Sequence, residues 1–197
     1  MKRLLCIALA LLAACGACAQ DLANGVFLVA QPTLTAPAFR RTVILITQRP
    51  DGGSMGVIIN RPTDVSLSAA FPKHEHIAAQ PHTLHFGGPV QPQSLLFLVR
   101  SATPPPRGIP MLRDVYLTAD ADWVDSAQAT AKVLTAMRAF AGFSGWAPGQ
   151  LRSEIERQGW YILPADSETI FDKNPDEIWF ELAKRAVLRS TLYKKYQ

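Results

Sequence analysis

Arg41-Thr42-Val43-Ile44-Leu45-Ile46-Thr47-Gln48-Arg49-Pro50-Asp51-Gly52-Gly53-Ser54-Met55-Gly56-Val57-Ile58-Ile59-Asn60-Arg61-Pro62-Thr63 is the stretch whose reading decides the fold. Two apolar runs rich in β-branched residues flank a turn. In Pro50-Asp51-Gly52-Gly53 the proline presets φ, the aspartate bonds nearby backbone, and glycine accepts positive φ. Near-continuous apolar runs predict a hairpin buried on both faces at the centre of a sheet. The second run ends at Asn60-Arg61-Pro62-Thr63, where Pro62 has no N–H for a ladder. A buried sheet thus delivers polar residues to its rim.

Outward from this hairpin, residues 26–30 read as a first strand and 31–37, with two prolines, as a loop. Ser66 caps a short helix over 67–71 that Pro72 stops, and a polar, His-containing connection runs to Pro81. Residues 84–90 and 95–99 come next; the second reads as a buried strand, and Gly87-Gly88-Pro89 before it is a tight break that larger residues would obstruct. Residues 103–110 hold four prolines and a glycine, so they form an exposed loop. A strand at 115–118 and a helix at 120–128 follow. Residues 132–140 have a period that suits a helix, yet 140–146 looks like a strand running into a glycine loop. Pro148 sits at the first turn of a short helix that reaches 157, and 160–163 is a strand. The best-defined helix is the last. Asn174 caps it, Pro175 takes its first position, and Asp176 and Glu177 fill its first turn. Ile178, Leu182, Ala183 and Ala186 form its apolar stripe.

The composition, 48% hydrophobic and 18% charged over 197 residues, is that of a single globular domain. The formal charge is +4, but Lys2 and Arg3 lie at the extreme N-terminus, and without them the net is +2. The basic pI therefore carries no nucleic-acid signature.

The first twenty residues carry an export signal. Met1-Lys2-Arg3 is a positive n-region, and residues 4–14 are an apolar segment too short to span a membrane. Two processing sites follow. Ala17-Cys18-Ala19 fits signal cleavage, giving a signal peptide over 1–19 and a domain over 20–197. Leu12-Ala13-Ala14-Cys15-Gly16 fits a lipobox, giving a signal over 1–14 and a lipid anchor on Cys15. The expectation is an exported protein, periplasmic or held on a membrane through Cys15. All three cysteines lie in this segment, so the mature domain has no disulfide and no thiol-based metal site.

Three ordered segments resemble the YqgE/AlgH family. They are Phe39-Arg40-Arg41-Thr42-Val43-Ile44-Leu45 with Gly53-Ser54-Met55-Gly56-Val57-Ile58-Ile59-Asn60-Arg61-Pro62-Thr63, then Phe86-Gly87-Gly88-Pro89-Val90, then Gly142-Phe143-Ser144-Gly145-Trp146-Ala147-Pro148-Gly149-Gln150-Leu151. Trp160, Pro164-Ala165-Asp166 and Ile170-Phe171 continue the resemblance, which covers residues 24 to 188. It implies one compact mixed α/β (α+β) unit, a mostly antiparallel central sheet with helices packed around it. It implies little chemistry. The family name derives from a proposed role in transcriptional regulation of alginate production, with members expected in the cytosol. The export segment departs from that pattern, since an exported protein does not reach bacterial DNA.

Three groups of residues are candidates for chemistry. Gly52-Gly53-Ser54-Met55-Gly56 matches the G-x-S-x-G of hydrolase elbows, but an elbow needs a helix after the serine and a β-branched run stands there instead. His74, His76, His82 and His85, all the histidines of the chain, fall within twelve residues, and in a metal site they would supply imidazole ligands to zinc or copper. Their loose spacing equally suits a solvated loop. Asn60, Arg61, Gly87, Gly88, Trp146 and Gln150 fall at predicted strand ends, where backbone can approach a ligand. The alternative is that these glycines close turns and Trp146 fills the core.

The expected function is a non-enzymatic binding or regulatory domain, with no catalytic residue, no metal and no cofactor, acting on an unidentified protein or small molecule. Two alternatives stand beside it. One is a hydrolase or metal protein using Ser54 or the histidines. The other is a cytosolic regulator whose true start lies downstream.

Overall fold

The hairpin at 43–59 forms as its pattern predicts. In the computed structural model, which describes residues 25–130 and 133–195, strands β2 (Val43–Gln48) and β3 (Ser54–Ile58) pair antiparallel, Ile44 opposite Ile58 and Gln48 opposite Ser54. The leader, with Cys15 and both processing sites, lies outside the described residues. The Gly52 N–H donates to the Arg49 carbonyl, the Arg49 N–H to the Gly53 carbonyl, and Asp51 Oδ1 accepts from the Gly53 amide, closing the turn. Val43 to Ile46 and Val57 to Ile59 have no solvent contact.

The remaining strands are β1 (Val26–Ala30), β4 (Pro62–Ser66), β5 (Thr83–Phe86), β6 (Val90–Ser101), β7 (Ile109–Pro110), β8 (Val115–Thr118), β9 (Leu134–Trp146) and β10 (Trp160–Pro164). The helices are α1 (Leu67–Ala70), α2 (Glu75–Ala78), α3 (Ala121–Gln128), α4 (Gln150–Glu156), α5 (Ser167–Phe171) and α6 (Pro175–Lys195). The main sheet runs β10-β1-β2-β3-β9-β6-β8-β7, antiparallel at every step, and curls into a half-barrel. The hairpin is therefore interior to the sheet, as its doubly buried pattern requires. β4 and β5 form a side ladder that joins β9 in parallel through His85 and Phe86.

β9 resolves the ambiguous segment. Residues 134–146 are one long strand, not a helix. It pairs with β6 along its first part, then bends at Gly142 and finishes against β3. Gly142 has φ of +66°, and a Cβ there would lie 2.5 Å from the Gly88 carbonyl oxygen, so only glycine fits this bend.

Three other expectations are corrected. Pro62 does not end the sheet but opens β4, where a first strand position needs no N–H. Pro148 lies in a turn before α4, and Gly149, with φ of +78°, takes the N-cap position. The connection before Pro81 contains α2. The caps at Ser66 and Asn174 stand as read, accepting from the amides of Ala69 and Asp176, and Asp120, read as the first residue of its helix, is its N-cap, accepting from the Trp123 amide.

Two clusters fill the interior. One lies around β1, β2, β3, β10 and α6, the other around β6 and α1 to α3. α6 docks through Ile178, Leu182 and Ala186, and the Trp179 indole N–H donates to the Ala30 carbonyl at 2.8 Å. Its opposite side exposes Phe180, Val187 and Leu188. Among the described residues no helix is long and apolar enough to cross a membrane.

Candidate functional site

The rim residues of the hairpin turn inward on the chain. Asn60 Oδ1 accepts from the Val43 N–H at 2.7 Å, and its Nδ2 donates to the Arg41 carbonyl at 3.0 Å. The Arg61 guanidinium donates to the carbonyls of Ala38 and Arg40 at 2.8 and 3.0 Å. Burial, and then neighbouring Arg40, lower the pKa of Arg61 from its ordinary value. Together the two side chains clamp the loop that enters β2.

Gly87 and Gly88 bring backbone against backbone. The Gly87 N–H donates to the Ala141 carbonyl, and its own carbonyl accepts from the Ile58 amide at 3.0 Å and the Ser144 hydroxyl at 3.3 Å. A Cβ on Gly87 would meet the Gly142 oxygen at 2.2 Å, and one on Gly88 the Phe143 carbonyl carbon at 2.3 Å. The close approach expected here is real, and its partner is β9.

Trp146 and Gln150 meet on a residue the sequence did not flag, Glu154. Glu154 Oε2 accepts from the indole N–H of Trp146 at 3.0 Å and of Trp160 at 2.9 Å, while Oε1 accepts from the Gln150 amide nitrogen Nε2 at 3.1 Å. Gln150 Oε1 accepts from the Ala147 amide, closing the unit. Phe39, on the loop held by Asn60 and Arg61, stacks on Trp146 and meets Trp160 edge-on. Glu154 and Gln150 are four apart on one helix face, and that spacing beside two tryptophans was the available signal.

Ser54 opens a strand rather than a strand-to-helix elbow, opposite Gln48 and Trp146, and is buried. The histidines diverge. His74 Nε2 lies 3.1 Å from Asp122 Oδ1. His76 contributes its backbone N–H to Asp125, and the exposed His82 its carbonyl to the Leu67 amide. His85 is buried beside Phe140, its Nδ1 3.3 Å from the Thr83 carbonyl and its Nε2 without a partner. Burial first, then the charge of Arg138, push His85 down to about 4. Among the described residues no three His, Cys, Asp or Glu side chains group to hold a metal.

Among the described residues, two neighbouring hollows lie elsewhere. A cleft of about 600 Å³ is bounded by His74, Arg107, Thr118, Asp120 and Asp122. Beside it an apolar recess of about 270 Å³ is lined by Phe71, Leu95 and Phe97, with Lys73 at its margin. The two share His74, Ala119 and Ala121. Asp120 caps α3 and lies 3.6 Å from the Arg107 guanidinium, so the cleft wall offers both donors and acceptors. Charge and apolar surface stand side by side there, drawn from α1, α3 and the proline-rich loop. No sequence motif joins these segments, which is why the pattern did not reveal them.

A family model described as AlgH-like matches residues 27–190. A UPF0301 protein of Mycobacterium avium (strain 104) is 36% identical over 180 residues, covering 88% of each chain. A UPF0301 protein of Mycobacterium tuberculosis (strain ATCC 25177 / H37Ra) is 35% identical, covering 88% of this chain and 87% of its own. Among solved structures, a crystal structure of a Corynebacterium diphtheriae protein has a TM-score of 0.69 at 27% identity, covering 83% of this chain and 86% of that one. The solution structure of the AlgH protein from Pseudomonas aeruginosa has a TM-score of 0.67 at 26% identity, covering 83% and 88%. The half-barrel, the clamped hairpin and the motifs along it thus coincide with a match over most of the sequence, and the chain belongs to the AlgH-like family.

Proposed function

We propose that this chain is a non-catalytic binding protein that seats a small amphipathic molecule in the cleft between α1, α3 and the 103–108 loop. The observation that supports this is the continuity of an apolar recess with a charged cleft through His74, Ala119 and Ala121. An apolar end of the ligand lies against Phe71 and Phe97, and a polar end meets Arg107 and Asp120. Volumes of this order suit a small organic ligand. Asn60, Arg61, Trp146 and Gln150 serve the scaffold in this reading, because their polar groups are engaged within the chain.

Binding of a hydrophobic anionic fluorophore, anilinonaphthalene sulfonate, tests the seat. Ala119 is exposed, so Ala119→Trp fills the cleft without touching the core. The expected result is binding in roughly the micromolar range that Ala119→Trp abolishes. Equal binding by both proteins would remove the cleft from consideration. Ser54→Ala, with its hydroxyl off the cleft lining, leaves this binding unchanged.

The leader supports the further reading that the domain acts outside the cytosol, anchored at Cys15. Each buried methylene of an anchor contributes about 0.8 kcal/mol, so several acyl chains hold a protein on a membrane. Intact mass of the native protein decides this. A lipidated terminus at Cys15 is expected; an unmodified terminus at Gln20 means secretion, and a Met1 terminus in the cytosol overturns export.

A further inference from the structure

Resting on the proposed seat between α1, α3 and the 103–108 loop, we propose that its ligand is a zwitterion, an α-amino acid with an apolar side chain. The side chain fills the recess, the carboxylate meets Arg107, and the ammonium meets Asp122. The walls carry both signs, with Arg107 and Lys73 set against Asp120 and Asp122. A plain anion would confront the two aspartates, and a plain cation would confront Arg107. A molecule with both charges next to an apolar branch meets each wall with its opposite. Ala119 and Ala121, shared by both hollows, are small enough to leave the way from charge to apolar surface open.

The groups that would hold such a ligand are free to do so. Asp120 Oδ2 lies 3.6 Å from the Arg107 guanidinium, too far for a hydrogen bond, and among the described residues that guanidinium donates none. The Arg107 side chain is 88% exposed. Asp122, 98% exposed, has Oδ1 3.1 Å from His74 Nε2, and among the described residues its Oδ2 accepts from nothing. Asp120, by contrast, is committed to its helix, with Oδ1 accepting from the Trp123 amide.

Exposed charges are ordinary; the backbone beneath Arg107 is not. The Gly108 N–H donates to the Pro105 carbonyl at 2.9 Å, which closes a turn around Pro106 and Arg107. Pro105 is buried, and a Cβ on Gly108 would meet the Pro105 ring at 2.5 Å, so the turn is tightly packed. Arg107 has φ of +55° at the third position of this turn, where glycine is the favoured occupant. Strain kept at a residue whose side chain makes no hydrogen bond within the described chain points to a use for that side chain outside it.

Equilibrium dialysis of the full chain with radiolabelled L-phenylalanine and L-leucine tests the proposal. A Kd of about 100 µM is expected for at least one of them. Unlabelled 3-phenylpropionate, which lacks the ammonium, and phenethylamine, which lacks the carboxylate, should compete at least about tenfold more weakly than phenylalanine. Arg107→Gly should weaken amino-acid binding at least about tenfold while the melting temperature falls no lower, because glycine relieves the turn. Asp122→Asn keeps an acceptor for His74 and should weaken binding to a similar degree. Fluorophore binding that Ala119→Trp abolishes, with neither amino acid bound, overturns the zwitterion and leaves the cleft as a seat. Absence of both kinds of binding removes the two readings together. Equal competition by 3-phenylpropionate and phenylalanine also overturns the proposal, as does parental amino-acid binding by Arg107→Gly.

Discussion

Trp146 and Trp160 give their indole hydrogens to the same oxygen, Glu154 Oε2, at 3.0 and 2.9 Å. One comes from the end of β9 and the other from the start of β10, so a single carboxylate ties together strands near opposite ends of the hairpin region. Both rings are nearly inaccessible. Glu154→Ala should therefore cost about 2–3 kcal/mol, and Glu154→Gln, which keeps one acceptor, about half of that. Urea unfolding followed by tryptophan emission measures both. Equal stability of Glu154→Ala and the parent chain would mean that water replaces the carboxylate at no cost.

Gly56 lies on β3 opposite Ile46 of β2. A Cβ there would stand 2.2 Å from the Leu45 carbonyl oxygen, an atom of a buried central strand that has nowhere to go. Gly56→Ala is expected to destabilise by about 1–3 kcal/mol and Gly56→Val by more. Thermal melting reads the difference, and an unchanged melting temperature for Gly56→Val would contradict the geometry.

Trp179 fastens α6 to β1 through its N–H and the Ala30 carbonyl. Trp179→Phe retains most of the ring and leaves that buried carbonyl without its donor. The expected loss is about 1–2 kcal/mol. Amide exchange of β1 should accelerate in the variant, and no change there would show that the helix is held by its apolar stripe alone.

His85 makes stability depend on pH. Its folded value near 4 lies below its ordinary 6.5, mainly through burial and then through Arg138, against the opposing contact with the Thr83 carbonyl. Between those two values the unfolded chain takes up a proton that the folded chain does not. This contribution is fully present above about pH 6.5 and is lost as pH falls through the folded value, about 3 kcal/mol across the whole interval. His85→Leu should flatten that portion of the curve. A constant stability gap between parent and variant from pH 7 to pH 4 would rule it out.

How much of this was legible depended on what kind of signal each segment carried. Residues 43–46 and 57–59 are apolar on both faces because both faces of the sheet are packed into the core there, so composition alone announced their place. Ser66 and Asn174 announced helix starts through local capping chemistry. β9 was harder to read. Ala136, Ala139 and Ala141 are small residues on a strand packed between β5 and β6, and small apolar residues on both faces blur a period of two into something helix-like. The candidate site divides the same way. Gly87 and Gly88 were rightly read as points of close approach, since glycine declares that locally. What approaches them is set by a strand more than fifty residues later, and no local pattern records it. The cleft is the extreme case, since Phe71, Arg107 and Asp120 meet only after the sheet has curled.

The pairing of β9 with β6, β5 and β3 has a consequence for how the molecule comes apart. The strand borders both buried clusters, Met137 and Ala139 belonging to one and Phe140 and Trp146 to the other. Peeling it away opens both at once, so neither half of the sheet keeps a closed core while the other melts. Heat or denaturant should then meet one cooperative unit, with Trp123 on α3 and Trp146 beside the hairpin reporting the same midpoint.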